Sequence, residues 1–392
     1  MSALSRLGLA VFLFAACASP GAVGGSPSPT TASSPTSSPT APPTPSPSPT
    51  SDPSAAALFK TLTTSWRPTT TTLIVSEIVP VGQTANMMVV AVPADGGAPT
   101  ALVTFEGGVL FAVRPDGGAI AAAVGGGIAL WEPSGVVRWL VPPDPAALAS
   151  SPVWAPDGSY LVFGRFKPPP LGGSTGDLGI FRIQADGSGL RRIVEPAPPG
   201  QGPPTVSVAR RVTQENILVW GRAYEGASLE ILDLMSGRQR SYDGGVAELT
   251  AWRSTQARAL LIHCSNTGCR GLVEWNDETG AKREIFGSDV GIQGADRDPA
   301  GARIVVARRS QIWGLDVVDG AAVTRIPGTA GAQWPRWLPA GIAYLWGPQD
   351  IGIGISPLIE LRIVSPAGEA TRTLYRVSAP GSNLFITDVV KR

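Results

Sequence analysis

The sequence predicts an all-β protein, a β-propeller of seven four-stranded antiparallel blades, with six blades as the alternative. Two observations predict this fold. A strand–turn–strand pattern recurs at a spacing of about forty residues, and a second hairpin, closed by a glycine-containing turn, alternates with it. Two hairpins make one four-stranded blade, and such a blade can bury its faces only against its neighbours.

The first hairpin is clearest in the stretch from Val153 to Phe163. Pro156 fixes φ for a turn, Asp157 can bond to the backbone ahead of it, Gly158 relieves steric crowding, and a β-prone apolar run follows. Six clear copies and a seventh that keeps only its strand align on this template: WRPTTTTLIV from Trp66, VRPDGGAIAAA from Val113, WAPDGSYLVF from Trp154, RVTQENILVW from Arg211, WRSTQARALLI from Trp252, RDPAGARIVV from Arg297 and WLPAGIAYLW from Trp337.

The second hairpin is marked by a glycine in each of seven turns, at Gly96, Gly135, Gly187, Gly237, Gly280, Gly320 and Gly368. The C-terminal run from Leu384 to Val390 is expected to complete the first blade, because an open ring would leave two bare sheet edges. Helix is expected only from Ser54 to Leu62. Four tryptophans at repeated positions are expected in the core between blades: Trp154, Trp252, Trp334 and Trp337.

The segments WAPDGSYLVF and RPDGGAIAA resemble the PD40 repeat of TolB-type, WD40-like propellers, in which a W-S-P-D-G turn precedes an apolar strand. The resemblance covers roughly residues 60 to 390. It implies the fold and says little about function. The chain departs from TolB itself, because nothing before residue 60 is expected to form the α/β domain of that protein.

The N-terminus predicts export and a lipid anchor. An apolar run from Leu7 to Ala15 leads through small residues to Cys17, which resembles a bacterial lipoprotein signal. Residues 1–16 would be the signal peptide and Cys17 the lipidated first residue of the mature protein. The protein is therefore expected in the bacterial cell envelope, extracytoplasmic and lipid-anchored to a membrane. The alternative is an ordinary signal peptide cleaved near Ala16 or Ala18.

Residues 17–55 are rich in Pro, Ser and Thr, carry one charge, at Asp52, and have no apolar face to bury. This composition predicts a disordered tether, so that residues 56–392 would form the propeller, which we expect to be a monomer. The balance of 31 basic against 30 acidic residues argues against a nucleic-acid partner.

The other two cysteines are five positions apart in HCSNTGC. In an oxidising compartment, Cys264 and Cys269 are expected to form a local disulfide across a hairpin. The alternative is a metal site built from His263 and both cysteines, but it has only three ligands and the wrong spacing for a zinc knuckle. We therefore expect no metal and no cofactor.

A candidate ligand site is expected on the face where the long loops open around the central channel. Connections between second and third strands and between blades are long, whereas the turns inside hairpins are short. Basic and aromatic residues near the ends of second strands would ring this rim and hold carboxylates: Arg165, Lys167, Arg222, Tyr224, Arg308, Arg309 and Trp346. The alternative is solvated strand ends with local ion pairs.

No catalytic motif is found in the sequence, and His263 is its only histidine, so the protein is not expected to be an enzyme. The predicted function is that of a membrane-tethered recognition or scaffold module that binds a protein, peptide or glycan on its loop-rich face. The alternative is a propeller enzyme, a lyase or glycosidase acting on an extracellular polymer, with carboxylates assembled from different blades.

Overall fold

In the computed structural model the described residues are 51–61, 66–82, 84–168, 176–196, 206–214, 216–223, 227–242, 247–253, 258–265, 268–348 and 357–390. The predicted signal peptide, Cys17 and the tether up to residue 50 lie outside them. Within these ranges the chain is almost entirely β, and no helix there has the length and apolar character that crossing a membrane requires.

One short helix and 28 strands follow one another along the described ranges. The first half contains α1 (Pro53–Ala56), β1 (Lys60–Thr61), β2 (Thr72–Val81), β3 (Thr84–Pro93), β4 (Thr100–Glu106), β5 (Leu110–Val113), β6 (Ile120–Val124), β7 (Gly127–Trp131), β8 (Val137–Val141), β9 (Leu148–Trp154), β10 (Tyr160–Lys167), β11 (Gly176–Gln184), β12 (Arg191–Val194), β13 (Val206–Val212) and β14 (Ile217–Ala223). The second half contains β15 (Ala227–Asp233), β16 (Gln239–Ser241), β17 (Ala247–Arg253), β18 (Arg258–Ser265), β19 (Gly268–Asn276), β20 (Lys282–Arg297), β21 (Arg303–Arg309), β22 (Trp313–Asp319), β23 (Ala322–Arg325), β24 (Ala332–Leu338), β25 (Gly341–Trp346), β26 (Glu360–Val364), β27 (Thr371–Arg376) and β28 (Asn383–Val390).

The strands form four-stranded antiparallel blades, as predicted. Strands β5–β8, β9–β12, β13–β16 and β24–β27 make blades 2, 3, 4 and 7, and blade 1 consists of β28, β2, β3 and β4, with β1 added outside β4. In each blade we call the strands A to D from the channel outward. A strands contact one another between most neighbouring blades, which places them around a central axis.

The remaining sheet has seven strands and contains blades 5 and 6. Residues 282–286 of β20 pair with β19, as the D strand of blade 5, and residues 291–297 pair with β21, as the A strand of blade 6. Counted as hydrogen-bonded sheets, the described ranges contain six, and counted as four-stranded units, they contain seven.

The C-terminal strand closes the ring. β28 pairs with β2 from Asn383 opposite Ile78 to Val390 opposite Thr72, and its side chains Leu384 and Val390 are buried. The prediction that the C-terminus completes the first blade is therefore confirmed. Blades 7 and 1 are also joined by the buried carboxylate of Glu77, whose Oε1 accepts a hydrogen bond from the backbone N–H of Ser378 at 2.7 Å.

The glycines that marked the second hairpin lie in the turns between strands C and D. All seven have left-handed φ values, from 59° to 95°. In the degenerate copy of blade 4, Asn216 takes a left-handed conformation in the A–B turn, with φ 59°. Asparagine tolerates this region better than most residues, so the turn is kept without glycine.

The hydrophobic core lies between the faces of adjacent blades. Trp154 of blade 3 is buried, and its indole Nε1 donates to the Ala112 carbonyl of blade 2 at 3.2 Å. Trp337 is likewise buried, against blade 6. Trp334 is only half-buried and packs against the cluster between blades 7 and 1, and the side chain of Trp252 lies outside the described part of the structure.

The N-terminal helix is shorter than the sequence predicted. Asp52 caps α1 by accepting the Ser54 N–H at 2.8 Å, and the helix then ends at Ala56 instead of Leu62. Phe59 is buried edge-on against Phe105, with ring centroids 5.1 Å apart, and the chain continues into β1, which pairs with β4. Burial of Phe59 on blade 1 outweighs helix propensity, which is a weak preference.

Residues 51–55, which the sequence assigned to the tether, pack against the outer edge of blade 2. The Asp52 N–H donates to the Val137 carbonyl at 2.7 Å, and the Trp139 indole donates to Ser54 Oγ at 2.9 Å. Polar side chains can add to an exposed strand edge without an apolar face, so the sequence pattern gave no sign of this contact.

Candidate functional site

Arg165, the first residue predicted for the rim, is used in a local ion pair. Its Nη2 donates to Asp144 Oδ2 at 3.0 Å and to the Ala147 carbonyl at 3.1 Å, and its guanidinium lies 5.4 Å from the ring centroid of Phe181. These contacts join blade 3 to the loop that precedes it. Arg165 therefore fits the alternative that the sequence left open, a strand end with a local ion pair.

Arg308 also forms an ion pair, with the fully buried carboxylate of Asp316 on the next strand. A second arginine, Arg325, pairs with the same carboxylate. Such buried acids recur on strand C of four blades, at Glu230, Glu274, Asp316 and Glu360. Three of them are held by pairs of arginines, and Glu230 accepts from the Ser241 hydroxyl. These acids were not predicted from the sequence, although they are spaced about one repeat apart along it.

The other predicted rim residues differ in their surroundings. Trp346 donates to the Ala330 carbonyl at 2.9 Å and is covered by the Arg362 guanidinium, 3.8 Å from its ring centroid. Lys167 and Arg309 are exposed. Tyr224 and the side chain of Arg222 lie outside the described residues. Arg165, Arg308 and Trp346 are thus held by local contacts, and Lys167 and Arg309 are the exposed cations among the described rim residues.

Cys264 and Cys269 are paired directly across the hairpin of β18 and β19. Directly opposed residues have Cβ atoms about 4.5–5.5 Å apart, close to the range that a disulfide needs. Their side chains lie outside the described residues, so the disulfide stays a prediction. The preceding residue, His263, has its Nε2 2.6 Å from the Tyr242 hydroxyl, and burial, with Lys282 nearby, lowers the pKa of its imidazole.

A second group of charged residues, which the sequence did not predict, lies on the A strands that surround the channel. The pairing of strands A and B identifies one equivalent position in each of blades 1 to 7: Asp388, Ala112, Val153, Arg211, Ala251, Asp296 and Arg336. Four of the seven are charged. We call Arg211, Asp296, Arg336 and Asp388 the channel belt. Three of them come from the consecutive blades 6, 7 and 1, and Arg211 comes from the opposite side of the ring.

Bulges in the A strands position the channel belt. The A–B register shifts directly before Arg211, Arg336 and Asp388, and one residue earlier in the strand of Asp296. Arg210 and Thr387 therefore have no partner of their own on strand B. In blade 7 the shift includes Trp334, whose φ of 52° is unusual for a tryptophan. A bulge bends the strand and re-aims the side chain that follows it, which here brings side chains from different blades together.

The electrostatics show that the belt residues converge. Burial raises the pKa of Asp388 to about 6, and the Val389 N–H, Arg211 and Arg336 oppose this rise. Burial likewise raises the pKa of Asp296, opposed first by Arg336, by the Trp337 N–H at 2.8 Å from Oδ2, and by Arg211. Each of the two carboxyls therefore interacts electrostatically with the guanidiniums of both Arg211 and Arg336. Asp296 and Asp388 are only partly exposed to solvent, as expected for a narrow, polar channel.

The belt lies near the face of the A–B turns, because each of its residues is close to the C-terminal end of its A strand. It is thus at the opposite end of the channel from the rim that the sequence predicted. Chemically it offers two guanidiniums for anions and two carboxyls whose raised pKa brings proton exchange closer to neutral pH. Such groups would contact a charged ligand that entered the channel.

One sequence signal could have found the belt. Asp296 and Arg336 each stand one position before the aligned copies that begin at Arg297 and Trp337, so a charged residue recurs at that position in two neighbouring repeats. In blade 4 the pairing makes Val212, not Arg211, the equivalent of Trp154. The copy RVTQENILVW therefore has a turn that is one residue shorter than its alignment on the template assumed.

No protein-family model matches the chain, and no curated protein is similar to it in sequence. Solved structures are similar in fold. The β-propeller domain of the Trilobed protease from Pyrococcus furiosus is 13% identical over 82% of this chain and 100% of that chain, with a TM-score of 0.50. A puromycin-hydrolyzing peptidase from Mycobacterium tuberculosis is 14% identical over 79% of this chain and 55% of that chain, with a TM-score of 0.51. A putative TolB from Agrobacterium tumefaciens is 16% identical over 62% of this chain and 84% of that chain, with a TM-score of 0.41.

The likeness is one of fold. The chain is a β-propeller, and TolB and other propellers of the PD40 and WD40-like kind are among the structures it resembles. The Pyrococcus domain is described as having an open velcro topology, whereas β28 closes the ring of this chain. At these identities the comparisons establish the architecture and leave activity to the residues of the site.

Proposed function

We propose that the protein is an extracytoplasmic recognition or scaffold module, tethered to a membrane through Cys17, that binds a protein, peptide or glycan partner on the loop-rich face of its propeller. The observation that carries this proposal is the asymmetry of the two faces. Because strands alternate in direction within a blade, all B–C and D–A connections share one face. The connections 168–175, 195–205 and 347–359 belong to that face, whereas the A–B and C–D turns span at most six residues.

The exposed cations Lys167 and Arg309 support the same face. Each ends a B strand where a B–C connection begins, in blades 3 and 6. Loops held by a rigid scaffold are the usual location of binding residues, and exposed cations on them recruit anionic groups of a partner. The partner that we favour therefore presents carboxylates or other anions to this rim.

A capture experiment tests the proposed face. We expect the full chain with Cys17→Ser, immobilised and incubated with solubilised envelope proteins and glycans, to retain a partner that the double variant Lys167→Glu, Arg309→Glu retains about tenfold less. Arg67→Glu, an exposed charge reversal on the opposite face, is the matched control and should bind normally. Equal retention by the rim variant and the parent would refute a site on the loop-rich face.

The anchor has its own test. We expect Cys17→Ser to release the protein from the membrane fraction or to leave it uncleaved, because a lipidated cysteine supplies the acyl chains that hold the protein there. Metabolic labelling with palmitate, followed by fractionation, measures this. Label that persists in the Cys17→Ser protein would show that the lipid is attached elsewhere or that the label is unspecific.

A second candidate function is a propeller enzyme acting on an extracellular polymer, and one observation favours it. Asp296 and Asp388 come from different blades, share two arginine neighbours and both have a raised pKa. Raised carboxyl pKa values near a channel are typical of general acids. Release of reducing ends from envelope polysaccharides by the parent, and its loss in Asp296→Asn, would establish this activity in place of simple recognition.

A further inference from the structure

A cleft of about 610 Å³ lies between the outer strands of blades 3 and 4, and it extends from the C–D turn of blade 4 to Glu195 and Pro196, where the connection that leaves blade 3 begins. Its apolar lining comes from both blades, with Ile193 and Val194 of β12 on one side and Leu232 and Leu234 of blade 4 on the other. Val194 belongs to the buried core between the blades, and the other three are half-buried at its edge. The cleft is therefore a place where the inter-blade core reaches the surface.

The polar lining of the cleft is basic. Arg182, Arg191 and Arg192 line it, against the acids Glu195 and Asp233. Arg192 pairs with Glu195 at 2.7 Å, while Arg191 is exposed and joins no ion pair with a described residue. The Asp233 carboxylate is used within its own turn, where its Oδ1 accepts hydrogen bonds from the N–H groups of Met235 and Ser236. The hydrogen bonds from Ser236 are the largest cause of its lowered pKa.

Arg182 adds a flat cationic surface to the cleft. Its guanidinium lies over the Tyr160 ring, 3.7 Å from the centroid, and its Nε is buried without a hydrogen-bond partner among the described residues. Stacking fixes the plane of the guanidinium in advance. A carboxylate that bound to the outer edge of this group would therefore lose little of its affinity to the ordering of the arginine.

Two exposed apolar side chains adjoin the cleft. Leu190 is 46% exposed and directly precedes Arg191, and Met235 is 80% exposed and directly follows Leu234. They belong to the C–D turns of the two blades, one on either side. Exposed apolar groups beside an apolar cleft are typical of a protein interaction site, and methionine adapts readily to a partner.

The backbone offers a further binding element. β12 is the outermost strand of blade 3, and β11 is its only pairing partner among the described residues, so one of its edges is available to another extended segment. An open edge can accept main-chain hydrogen bonds from a peptide strand, while side-chain pockets beside it select the sequence.

We propose that this cleft is a docking site for an extended peptide segment of a partner protein, in which bulky aliphatic residues are flanked by Asp or Glu. The aliphatic residues would cover the cleft floor and the side chains of Leu190 and Met235, and the carboxylates would bind Arg182 and Arg191. The N-terminal tether of this chain does not match this chemistry. Its residues 18–50 contain no acidic residue, and Val23 is their only branched aliphatic side chain.

A synthetic probe tests the proposal. The probe is a fluorescein-labelled peptide of central leucines flanked by glutamates, titrated with the full chain carrying Cys17→Ser and followed by fluorescence anisotropy. We expect saturable binding that Arg191→Glu weakens by about tenfold and Met235→Ser by about threefold. Both side chains are exposed, so these changes should leave the thermal midpoint unchanged, which circular dichroism verifies.

Two controls make the result specific. The rim variant Lys167→Glu, Arg309→Glu should bind the probe like the parent, which separates this site from the loop-rich face. The same peptide with lysines in place of glutamates should not bind. The proposal is overturned if the lysine peptide binds as well, if Arg191→Glu has no effect, or if no saturable binding occurs. Self-association of the chain that Met235→Ser abolishes would instead assign the cleft to a second copy.

Discussion

A protein that lacks residues 383–392 is expected to lose most of its stability. The deletion removes β28, exposes the edge of β2 and takes Leu384 and Val390 out of the core. Full burial of an aliphatic side chain contributes about 1.5–3 kcal/mol, so these two side chains and the lost strand pairing together approach the ~5 kcal/mol at the low end of domain stability. Urea unfolding followed by circular dichroism should show a broad, early transition.

The matched control for this deletion removes only Lys391 and Arg392, which follow β28. That shorter truncation is expected to unfold like the full chain. If the long deletion also unfolded at the parent midpoint with the parent cooperativity, β28 would not be needed to close the ring, and the order of strands in blade 1 would have to be revised.

The second large effect is expected from Asp388→Asn, which should stabilise the protein by roughly 3 kcal/mol at neutral pH. Burial raises the pKa of Asp388 from 3.8 to about 6, and each unit corresponds to ~1.4 kcal/mol. The charged carboxylate is thus less favourable in the folded protein than in the unfolded chain. Asparagine keeps an oxygen that can accept the Val389 N–H and removes the buried charge.

The sign of the pH dependence follows from the same shift. Below about pH 4 the carboxyl is protonated in both states and costs nothing. The folded protein binds this proton more tightly than the unfolded chain does. The free energy of unfolding therefore falls as the pH rises through about 6 and the folded protein must release the proton. The gain from Asp388→Asn should therefore be near zero at pH 4 and reach its full value above pH 6.

Denaturant midpoints measured from pH 4 to pH 7 check this expectation, with Asp319→Asn as the control. Asp319 ends β22 with an exposed side chain, so its amide variant should follow the parent curve. A loss of stability in Asp388→Asn at pH 7 would mean that Arg211 and Arg336 hold the carboxylate more strongly than burial opposes it. A gain would mark Asp388 as a residue that costs stability and is thus a candidate for function.

The repeated hairpins could be predicted from the sequence because turn chemistry is local. The glycine of each C–D turn and the proline-containing A–B turns of blades 2, 3, 6 and 7 depend only on neighbouring residues, so they reveal the repeat without knowledge of the fold. The buried acids of strand C, such as Asp316 and Glu360, also repeat along the chain and were open to the same comparison.

The same comparison could have marked Asp296 and Arg336, but not the channel belt as a group, because its members meet only when blades 4, 6, 7 and 1 surround one axis. Asp388 and Arg211 are far apart in sequence, and their side chains converge through bulges that have no constant sequence pattern. For the predicted rim, the sequence placed the residues correctly but could not predict their partners. Arg165 and Arg308 stand where the sequence placed them, but each has an acid within reach that only the folded chain supplies.

The shared strand β20 has a mechanical consequence. A continuous ladder of hydrogen bonds runs from blade 5 into blade 6, so these two blades cannot splay apart without breaking a sheet. The other junctions are crossed by connecting segments, side-chain packing and separate hydrogen bonds, which yield at lower free energy than a continuous ladder. The ring thus has a stiff side at blades 5 and 6 and a compliant side around blade 2. Fluctuations that widen the channel should therefore separate blades on the compliant side. Asp296, which lies on β20, should keep its position while the other belt residues move relative to it.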